Sequence, residues 1–271
     1  MTIGPPPPSD FDVDVTEEQI AFFHENGHLT VDRITTDDEL EWFRAAYDEF
    51  EAMPRSGFPD TVFDVGRPYG TTEEPDLGQL LFPERLIKGV HDTALWRNGR
   101  QIAQRLLDVP ADQIESWGHI IFKPPRHGAE TPWHQDEAYW DTNLAYHAVG
   151  AWVPLDDVDV DNGCLWFQPG SHRGDVLEHR HLGDDPRVHI LEIVEPIDTS
   201  TSVPIPMRAG GVSFHHPRTL HHAHPNTTVR HRRAWAHEYQ TVPVELPIAA
   251  HRPWVDEGRQ ALLDTYMAEH S

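Results

Sequence analysis

The chain has 271 residues, 45 of them acidic and 21 basic, so it is long enough for a sizeable core and carries a formal charge of −24. That charge repels nucleic acid and anionic membrane surfaces, and no run of about 18 apolar residues is present, which leaves a small-molecule substrate as the predicted partner. Because Cys164 is the single cysteine, an intrachain disulfide and a cysteine-based zinc cage are excluded. The N-terminus lacks a secretory pattern, which predicts a cytoplasmic location, and the composition is compatible with a monomer or a dimer.

The N-terminal third is predicted to be helical after a short arm. Residues 1–14 contain four consecutive prolines and are expected to form a flexible arm, followed by a single domain over residues 15–271. Two capping boxes, Thr16-Glu17-Glu18-Gln19 and Thr36-Asp37-Asp38-Glu39, each mark the start of an amphipathic helix. Helices are predicted near residues 16–27, 36–53, 95–107 and 257–269.

The remainder of the chain is predicted to be mainly β. Residues 54–84 show little periodicity and are rich in Gly, Pro, Asp and Thr, which fits a lid over a site and a mobile surface loop equally well. Short apolar segments separated by Pro, Gly and Asp turns then favour a sandwich or jelly-roll barrel buttressed by the N-terminal helices. The predicted strands cover residues 117–122, 133–136, 145–153, 163–168, 187–195, 203–207, 211–215 and 232–242.

The most informative stretch for chemistry is His134-Gln135-Asp136, which contains the only His-x-Asp/Glu triplet of the sequence. Alternate residues of an extended strand share a face, so one imidazole and one carboxylate are predicted to reach the same ion. A second imidazole from elsewhere in the chain would complete a two-His-one-carboxylate site for non-haem iron. The segment 210–226 holds five histidines, and spacing alone does not choose among them: His215, His216, His221, His222 and His224.

Several ordered blocks resemble the phytanoyl-CoA hydroxylase family of iron- and 2-oxoglutarate-dependent oxygenases. The first is His134-Gln135-Asp136, and the others follow along the chain at matching spacing: Asn162-Gly163-Cys164-Leu165, Pro169-Gly170-Ser171-His172, His216-Pro217 with His221, Asn226, and Arg232. The resemblance implies a double-stranded β-helix (jelly-roll, cupin-like) core. It also implies Fe(II) held by His134, Asp136 and His221, with 2-oxoglutarate and O2 as cosubstrates.

The resemblance assigns further residues to cosubstrate binding. Arg232 matches the family arginine that holds the distal carboxylate of 2-oxoglutarate, although Arg230 and Arg233 are rivals close by. A guanidinium suits this task because it binds a carboxylate through two parallel hydrogen bonds. Lys88 resembles a family lysine near the other carboxylate, and Gln135 and Trp152 fall on pocket positions. The remaining histidines of 210–226 are expected in outer-shell or surface roles, with His216 able to orient a ligand.

Structural roles are predicted for other conspicuous residues. Lys123 and Cys164 are expected to be structural, and Pro169-Gly170-Ser171-His172 is interpreted as a turn rather than a nucleophile site. Histidines 179 and 181 and the acidic run 156–161 are expected in solvated loops. One departure from the family is His222-Ala223-His224, where relatives often have small residues and a serine.

The predicted activity is hydroxylation of an unactivated C–H bond of a small-molecule metabolite. Desaturation or ring closure by the same machinery remains open, whereas related halogenases typically lack the carboxylate that Asp136 supplies. The alternative from a different class is a non-oxidative β-barrel that binds zinc or nickel through the same side chains. Arg232 counts against that alternative, because it would serve the cosubstrate and not the metal.

Overall fold

The computed structural model describes residues 3–52, 62–69, 71, 73 and 75–269. The described helices are α1 (Glu17–Asn26), α2 (Asp37–Glu51), α3 (Ala94–Leu107) and α4 (Pro253–Glu269). The first two begin where the capping boxes predict, because the Thr16 and Thr36 hydroxyls accept the backbone N–H groups of the residues three positions later. Helix α1 ends at Gly27, whose φ of 78° is a left-handed conformation that glycine adopts without strain.

Short antiparallel strands make up most of the remaining regular structure. They are β1 (His28–Val31), β2 (Val62–Asp64), β3 (Gly78–Leu81), β4 (Glu115–Lys123), β5 (Thr131–His134), β6 (Leu144–Ala145), β7 (Ala148–Pro154), β8 (Leu165–Phe167), β9 (His179–His181), β10 (Leu191–Ile193), β11 (Val203–Ile205), β12 (Val212–His215), β13 (His221–Ala223), β14 (Arg232–Gln240) and β15 (Val244–Glu245). Each of the eight predicted strands overlaps an observed one: β4 is longer than predicted, β5 begins and ends two residues earlier, and the prediction at 145–153 covers most of β7 and the last residue of β6.

Two antiparallel sheets form the core of the fold. The larger has the strand order β1-β12-β7-β14-β4-β3-β2, the smaller has the order β11-β8-β13-β5, and two two-stranded ribbons, β9 with β10 and β6 with β15, lie beside them. Side chains of β7 and β14 pack with those of β8 and β13 in one apolar cluster, which includes Trp152, Phe167 and Ala236. Two sheets facing each other across such a cluster form the predicted jelly roll, so the fold class is confirmed.

The N-terminal helices cover the opposite face of the larger sheet. Strand β14 alternates: Trp235 and Tyr239 join the cluster under the helices, and Ala234 and Ala236 face the smaller sheet. Phe43 of α2 packs against Trp235 with 5.0 Å between ring centroids. The helices therefore buttress the sheet as predicted, and they leave its other face for the site.

The structure modifies the predictions for the segment 54–84 and for His179 and His181. The segment 54–84, predicted as a loop, contributes β2 and β3 to the larger sheet; residues 53–61, 70, 72 and 74, on which part of the lid prediction falls, lie outside the described residues. His179 and His181 are buried in β9 and not in a solvated loop. Residues 3–14 of the predicted arm contact the helices, for example through the Trp42 indole N–H, which donates to the Gly4 carbonyl.

Helix length and polarity bear on membrane association. None of the described helices combines the length and the apolar character that a membrane-spanning segment requires.

Candidate metal centre

The three predicted ligands meet at one end of the smaller sheet. His134 ends β5 and lies directly opposite His221 of β13 in the antiparallel register. Asp136 follows at the start of a short 3-10 helix, Asp136–Tyr139, after the extended residue Gln135. The candidate donor atoms of the three side chains all lie within 4.8 Å of one another. The predicted convergence is present, although a turn after the strand, and not strand alternation alone, places the carboxylate.

Hydrogen bonds fix the orientation of each ligand. The Nδ1 atoms of His134 and His221 lie 2.8 and 2.9 Å from the carbonyl oxygens of Pro132 and Thr219, so each ring is assigned the tautomer that donates there. Both Nε2 atoms then carry a lone pair and face Asp136 Oδ1, at 3.7 Å from His134 and 3.5 Å from His221. This is the arrangement of metal-binding histidines whose second nitrogen is held by an outer partner.

His215 holds the other oxygen of the carboxylate. Its Nε2 lies 2.8 Å from Asp136 Oδ2, which leaves Oδ1 directed towards the two ligand histidines. The sequence singled out His216 for an orienting role, but the Nδ1 of that residue accepts the backbone N–H of Arg218 instead. The reason is strand alternation: His215 ends β12 with its side chain towards the site, so the next residue points elsewhere.

The protonation states of the three groups suit a cation. Burial lowers the pKa of His134 to about 3 and that of His221 to about 4, so both imidazoles are neutral near pH 7. Burial opposes ionisation of Asp136, but the imidazoles of His221 and His215 outweigh it and lower the pKa of the carboxyl. Two neutral imidazoles and one carboxylate on one side of an ion are a donor set that fits Fe(II) and leaves positions free.

Arg232 is a buried cation with an open hydrogen-bonding position. It is 1% exposed, its Nε donates to the Gly163 carbonyl at 3.1 Å, and its guanidinium lies 5.2 Å from the ring centroid of Trp152. Its Nη1 has no hydrogen-bond partner, and within the described residues no carboxylate pairs with it. Burial lowers the pKa of Arg232 to about 10, so the group remains charged at neutral pH. A buried guanidinium in this state fits the carboxylate of 2-oxoglutarate.

The two rival arginines are already paired. Arg233 binds Asp156 through two nitrogens at 2.9 and 2.7 Å, and Arg230 donates to Asp159 at 2.6 Å. The acidic run 156–161, predicted as a solvated loop, therefore partners the neighbours of Arg232.

Local structure explains why particular residues occur in the family-like sequence blocks around Arg232. Gly163 has a φ of 90°, and a Cβ there would lie 2.6 Å from the His224 carbonyl oxygen, so only glycine fits while presenting its own carbonyl to Arg232. The Asn226 amide donates to the Arg230 carbonyl at 2.7 Å and fixes the turn that precedes β14. Ser171 also serves a turn, because its hydroxyl donates to the Gln168 carbonyl and accepts the Leu220 N–H.

The remaining predicted binding residues do not all reach the centre. Trp152 is buried beside Arg232, as described above. The Gln135 amide instead bridges loops: Nε2 donates to the Asp175 and Arg218 carbonyls and Oε1 accepts the Leu177 N–H. Lys88 is exposed and does not line the cavity at the triad. Lys123 is structural as predicted, since its buried ammonium donates to the Ala223 and His224 carbonyls.

A cavity of about 290 Å³ opens beside the triad. His134 and Asp136 form part of its wall, and the rest comes from strands β3 to β5 and β14, the segment 136–140, residues 189–190 and neighbouring loops. Four of the lining residues each have a buried polar atom without a hydrogen-bond partner in the described part of the chain: Gln79 Oε1, His119 Nδ1, Thr131 Oγ1 and Glu238 Oε2. Sequence reasoning missed these residues; Glu238 inside the apolar pattern of β14 was the available signal, because a carboxyl in a central strand requires a reason.

A jelly roll that holds two imidazoles, one carboxylate and a buried unpaired arginine defines an Fe(II)- and 2-oxoglutarate-dependent oxygenase. The chain belongs to the phytanoyl-CoA dioxygenase (PhyH) family, whose model matches residues 23–234. The family predicted from the sequence blocks is thereby confirmed, together with its two cofactors.

Similar proteins support the same class. Mouse peroxisomal phytanoyl-CoA dioxygenase is 27% identical over 81% of this chain and 67% of its own length. Phytanoyl-CoA dioxygenase domain-containing protein 1 of Bos taurus is 37% identical over 42% of this chain and 40% of its own. The matches thus span between two fifths and two thirds of these relatives.

Solved structures extend the comparison to the whole fold. EvdO2 of Micromonospora carbonacea var. aurantiaca, complexed with 2-oxoglutarate, is 34% identical with a TM-score of 0.80, covering 92% of this chain and 100% of that chain. SnoK, a non-haem α-ketoglutarate-dependent carbocyclase from nogalamycin biosynthesis, is 25% identical with a TM-score of 0.64, covering 86% and 87%.

The residue after the triad carboxylate anchors the site to α4. Glu137 binds Arg218 at 2.6 and 3.0 Å and Arg252, just before α4, at 2.7 Å. Burial opposes ionisation of Glu137, but the two guanidinium groups outweigh it and lower the pKa below the ordinary 4.5. We expect Glu137→Gln to reduce the free energy of unfolding by about 2 kcal/mol at pH 7. This is less than the cost of breaking a fully buried ion pair, because solvent reaches Arg218.

The sign of the pH dependence follows from the depressed pKa. The stability that the ionised Glu137 carboxylate contributes is fully present above the ordinary pKa of 4.5 and is lost as the pH falls through the lower pKa of the folded state. The free energies of unfolding of wild type and Glu137→Gln should therefore converge in acid. Denaturant unfolding at pH 7 and at about pH 4 measures this difference. The exposed Glu178→Gln is the matched control, and a gap that widens in acid would contradict the assignment.

Proposed function

We propose that the protein hydroxylates an unactivated C–H bond of a small, neutral, hydroxyl-bearing molecule. The balanced reaction converts the substrate C–H, O2 and 2-oxoglutarate into the alcohol, succinate and CO2. Fe(II) together with 2-oxoglutarate supplies the oxidising chemistry when bound. The observation that carries the proposal is the cavity beside the triad, whose wall combines His134 and Asp136 with residues that have buried polar atoms without a hydrogen-bond partner among the described residues.

The chain's own residues hold, orient and shield the reacting groups. His134, Asp136 and His221 would hold the metal, and the hydrogen bond from His215 keeps one carboxylate oxygen turned towards it. Arg232 would bind the distal carboxylate of 2-oxoglutarate. The aromatic side chains of the cavity wall limit the access of water to the substrate C–H bond.

The lining of the cavity supports a neutral substrate with hydroxyl groups. Buried polar atoms without partners are costly, and hydroxyl groups of a substrate would supply the missing hydrogen bonds to Gln79, Thr131 and Glu238. Aromatic faces complement the C–H surface of such a molecule, and they come from Phe82, Trp117, Tyr139 and Trp140. None of the described lining residues is Lys or Arg, so the cavity has no cation for a phosphate group.

Glu238 has a distinct part in this proposal. Burial and the neighbouring Asp136 raise the pKa of Glu238 well above the ordinary 4.5, which favours the protonated form that can donate a hydrogen bond. A protonated carboxyl suits a substrate oxygen and would not attract a cationic substrate.

Ring closure is the second candidate, and one observation favours it. The carbocyclase SnoK is 25% identical to this chain and the match covers 86% of this chain. The same scaffold therefore supports ring closure in a related protein. Desaturation would use the same site. Halogenation is disfavoured because Asp136 would supply the carboxylate that related halogenases typically lack. A non-oxidative zinc or nickel protein would not require the unpaired Arg232.

Substrate-stimulated consumption of 2-oxoglutarate tests the proposal. The purified protein with Fe(II) is incubated with neutral hydroxylated compounds and, in parallel, with acyl-CoA compounds, and succinate and product masses are measured. We expect stimulation and a gain of one oxygen only with the neutral compounds. A gain of one oxygen on an acyl-CoA would overturn the proposed substrate class, and a product two hydrogens lighter would favour ring closure or desaturation.

Variants of Glu238 test the recognition step. Glu238→Gln retains a hydrogen-bond donor and should change the KM for the substrate by less than about threefold. Glu238→Leu removes it and should raise this KM by about 10- to 100-fold, while turnover of 2-oxoglutarate without substrate stays the same. Equal KM values for the two variants would remove Glu238 from substrate binding.

A further inference from the structure

A second group of metal-binding side chains lies outside the site described above. The candidate donor atoms of Glu130, His222 and His224 lie within 4.8 Å of one another, the same limit that the triad meets. Glu130 directly precedes β5, His222 lies within β13, and His224 is the first residue after that strand. The two histidines are where the sequence departs from its family, since His222-Ala223-His224 replaces small residues and a serine there.

Strand alternation places this group on the face opposite the triad. His221 points to the triad and Ala223 to the core between the sheets, so His222 points to the other side of the smaller sheet. His222 and His224 share that side, with 4.8 Å between their ring centroids. The two sites therefore use opposite faces of the same strand.

The His222 imidazole is held in place by aromatic neighbours and has one nitrogen available. Its ring lies 4.2 Å from that of Trp133 and 5.8 Å from that of Trp166, centroid to centroid. The residue is 5% exposed, and no described residue forms a hydrogen bond with its Nδ1. Lys123 fixes the backbone beneath the pair by donating to the Ala223 and His224 carbonyls. A buried nitrogen that is held rigidly and lacks a hydrogen-bond partner is available to coordinate a metal ion.

The types of donor atom and the distances between them indicate which kind of ion the group would bind. Two bonds of about 2.1 Å allow donor atoms to be at most about 4.2 Å apart, which is close to the 4.8 Å limit that the group meets, and the exposed Glu130 side chain is free to adjust to an ion. Two imidazoles and a carboxylate suit zinc and neighbouring divalent metals, with water completing the coordination. The formal charge of −24 also attracts cations to this surface.

We propose that Glu130, His222 and His224 form a second divalent-metal site that binds an ion of the zinc class on the outer face of the smaller sheet. The ion would join the residue before β5 to the end of β13, and these two strands carry His134 and His221. Binding would therefore clamp the strands that hold two of the catalytic ligands, from the side away from the substrate. The site differs from the triad in residues and in face.

Metal stoichiometry tests this proposal directly. Metal-free protein is dialysed against Zn²⁺, and separately against Co²⁺, and bound metal is counted per chain. We expect two equivalents for wild type, and one equivalent for His224→Ala and for Glu130→Gln, each with about a tenfold or greater loss of affinity at the second site. His231→Ala, which removes an exposed histidine outside both groups, is the matched control and should still bind two.

The two sites are separated by crossing the variants. Asp136→Ala should bind one equivalent, and Asp136→Ala combined with His224→Ala should bind none. Oxygenase turnover with Fe(II) should persist in His224→Ala and Glu130→Gln, which shows that both variants are folded. One equivalent in wild type at saturating Zn²⁺, or two equivalents in both His224→Ala and Glu130→Gln, would overturn the second site without affecting the assignment of the triad.

Discussion

Arg232→Ala is expected to raise the KM for 2-oxoglutarate by about 100-fold, corresponding to about 2.7 kcal/mol of lost binding. The structure supplies the reason: this guanidinium is 1% exposed, is oriented by Gly163 and Trp152, and has an unpaired Nη1. Arg232→Lys should recover only part of the loss, because an ammonium cannot form two parallel hydrogen bonds to a carboxylate.

The neighbouring arginine provides the matched control. Arg230→Ala removes an exposed side chain that pairs with Asp159, so the KM for 2-oxoglutarate should stay within about twofold of wild type. Initial rates over a range of 2-oxoglutarate concentrations, with the apparent affinity for Fe(II) measured in the same preparations, check both variants. If Arg232→Ala changes the affinities for iron and 2-oxoglutarate equally, a folding defect and not loss of a carboxylate contact is the cause.

Asp136→Gly is expected to reduce turnover by about a thousandfold or more. Removal of an outer hydrogen-bond partner of a metal ligand costs about 10- to 100-fold, and loss of the ligand itself must exceed that. His215→Ala supplies this intermediate case, since it removes the 2.8 Å hydrogen bond to Asp136 Oδ2 but no ligand. The graded order wild type, His215→Ala, Asp136→Gly should appear in iron affinity as well as in rate.

Rates and iron affinities of these variants discriminate between possible carboxylates. Ordinary hydroxylase activity in Asp136→Gly would show that another carboxylate binds the metal. Glu137 cannot take over without losing its contacts to Arg218 and Arg252, which tie α4 to the site. A normal iron affinity in His215→Ala would instead show that the carboxylate needs no orienting partner.

Local signals in the sequence predicted the helices and part of the site. The hydroxyls of Thr16 and Thr36 cap helices within a few residues of their own position, so the starts of α1 and α2 follow from short motifs. The pair His134 and Asp136 is also local. Its third partner, His221, is 85 residues from Asp136 and was chosen by family resemblance, because four other histidines nearby have the same chemistry.

Features that depend on strand pairing were not available from the sequence. His119 of β4 and Glu238 of β14 line one cavity because these strands pair antiparallel, and no periodicity within either strand reports that pairing. His215, and not the predicted His216, orients the Asp136 carboxylate, and this depends on where β12 ends. Strands β2 and β3 are short and lie among turn residues, so the segment 54–84 gave no alternation to detect.

Anaerobic titration with Fe(II) and 2-oxoglutarate is the most direct test of the central claim that one site holds both. Chelation of the metal by the 2-oxo acid gives a weak visible charge-transfer band, which should appear with wild type, saturate at one equivalent of each, and require more 2-oxoglutarate in Arg232→Ala. It should be absent from His134→Ala and His221→Ala. No band with wild type, or an unchanged band in the two histidine variants, would contradict the assignment of the triad.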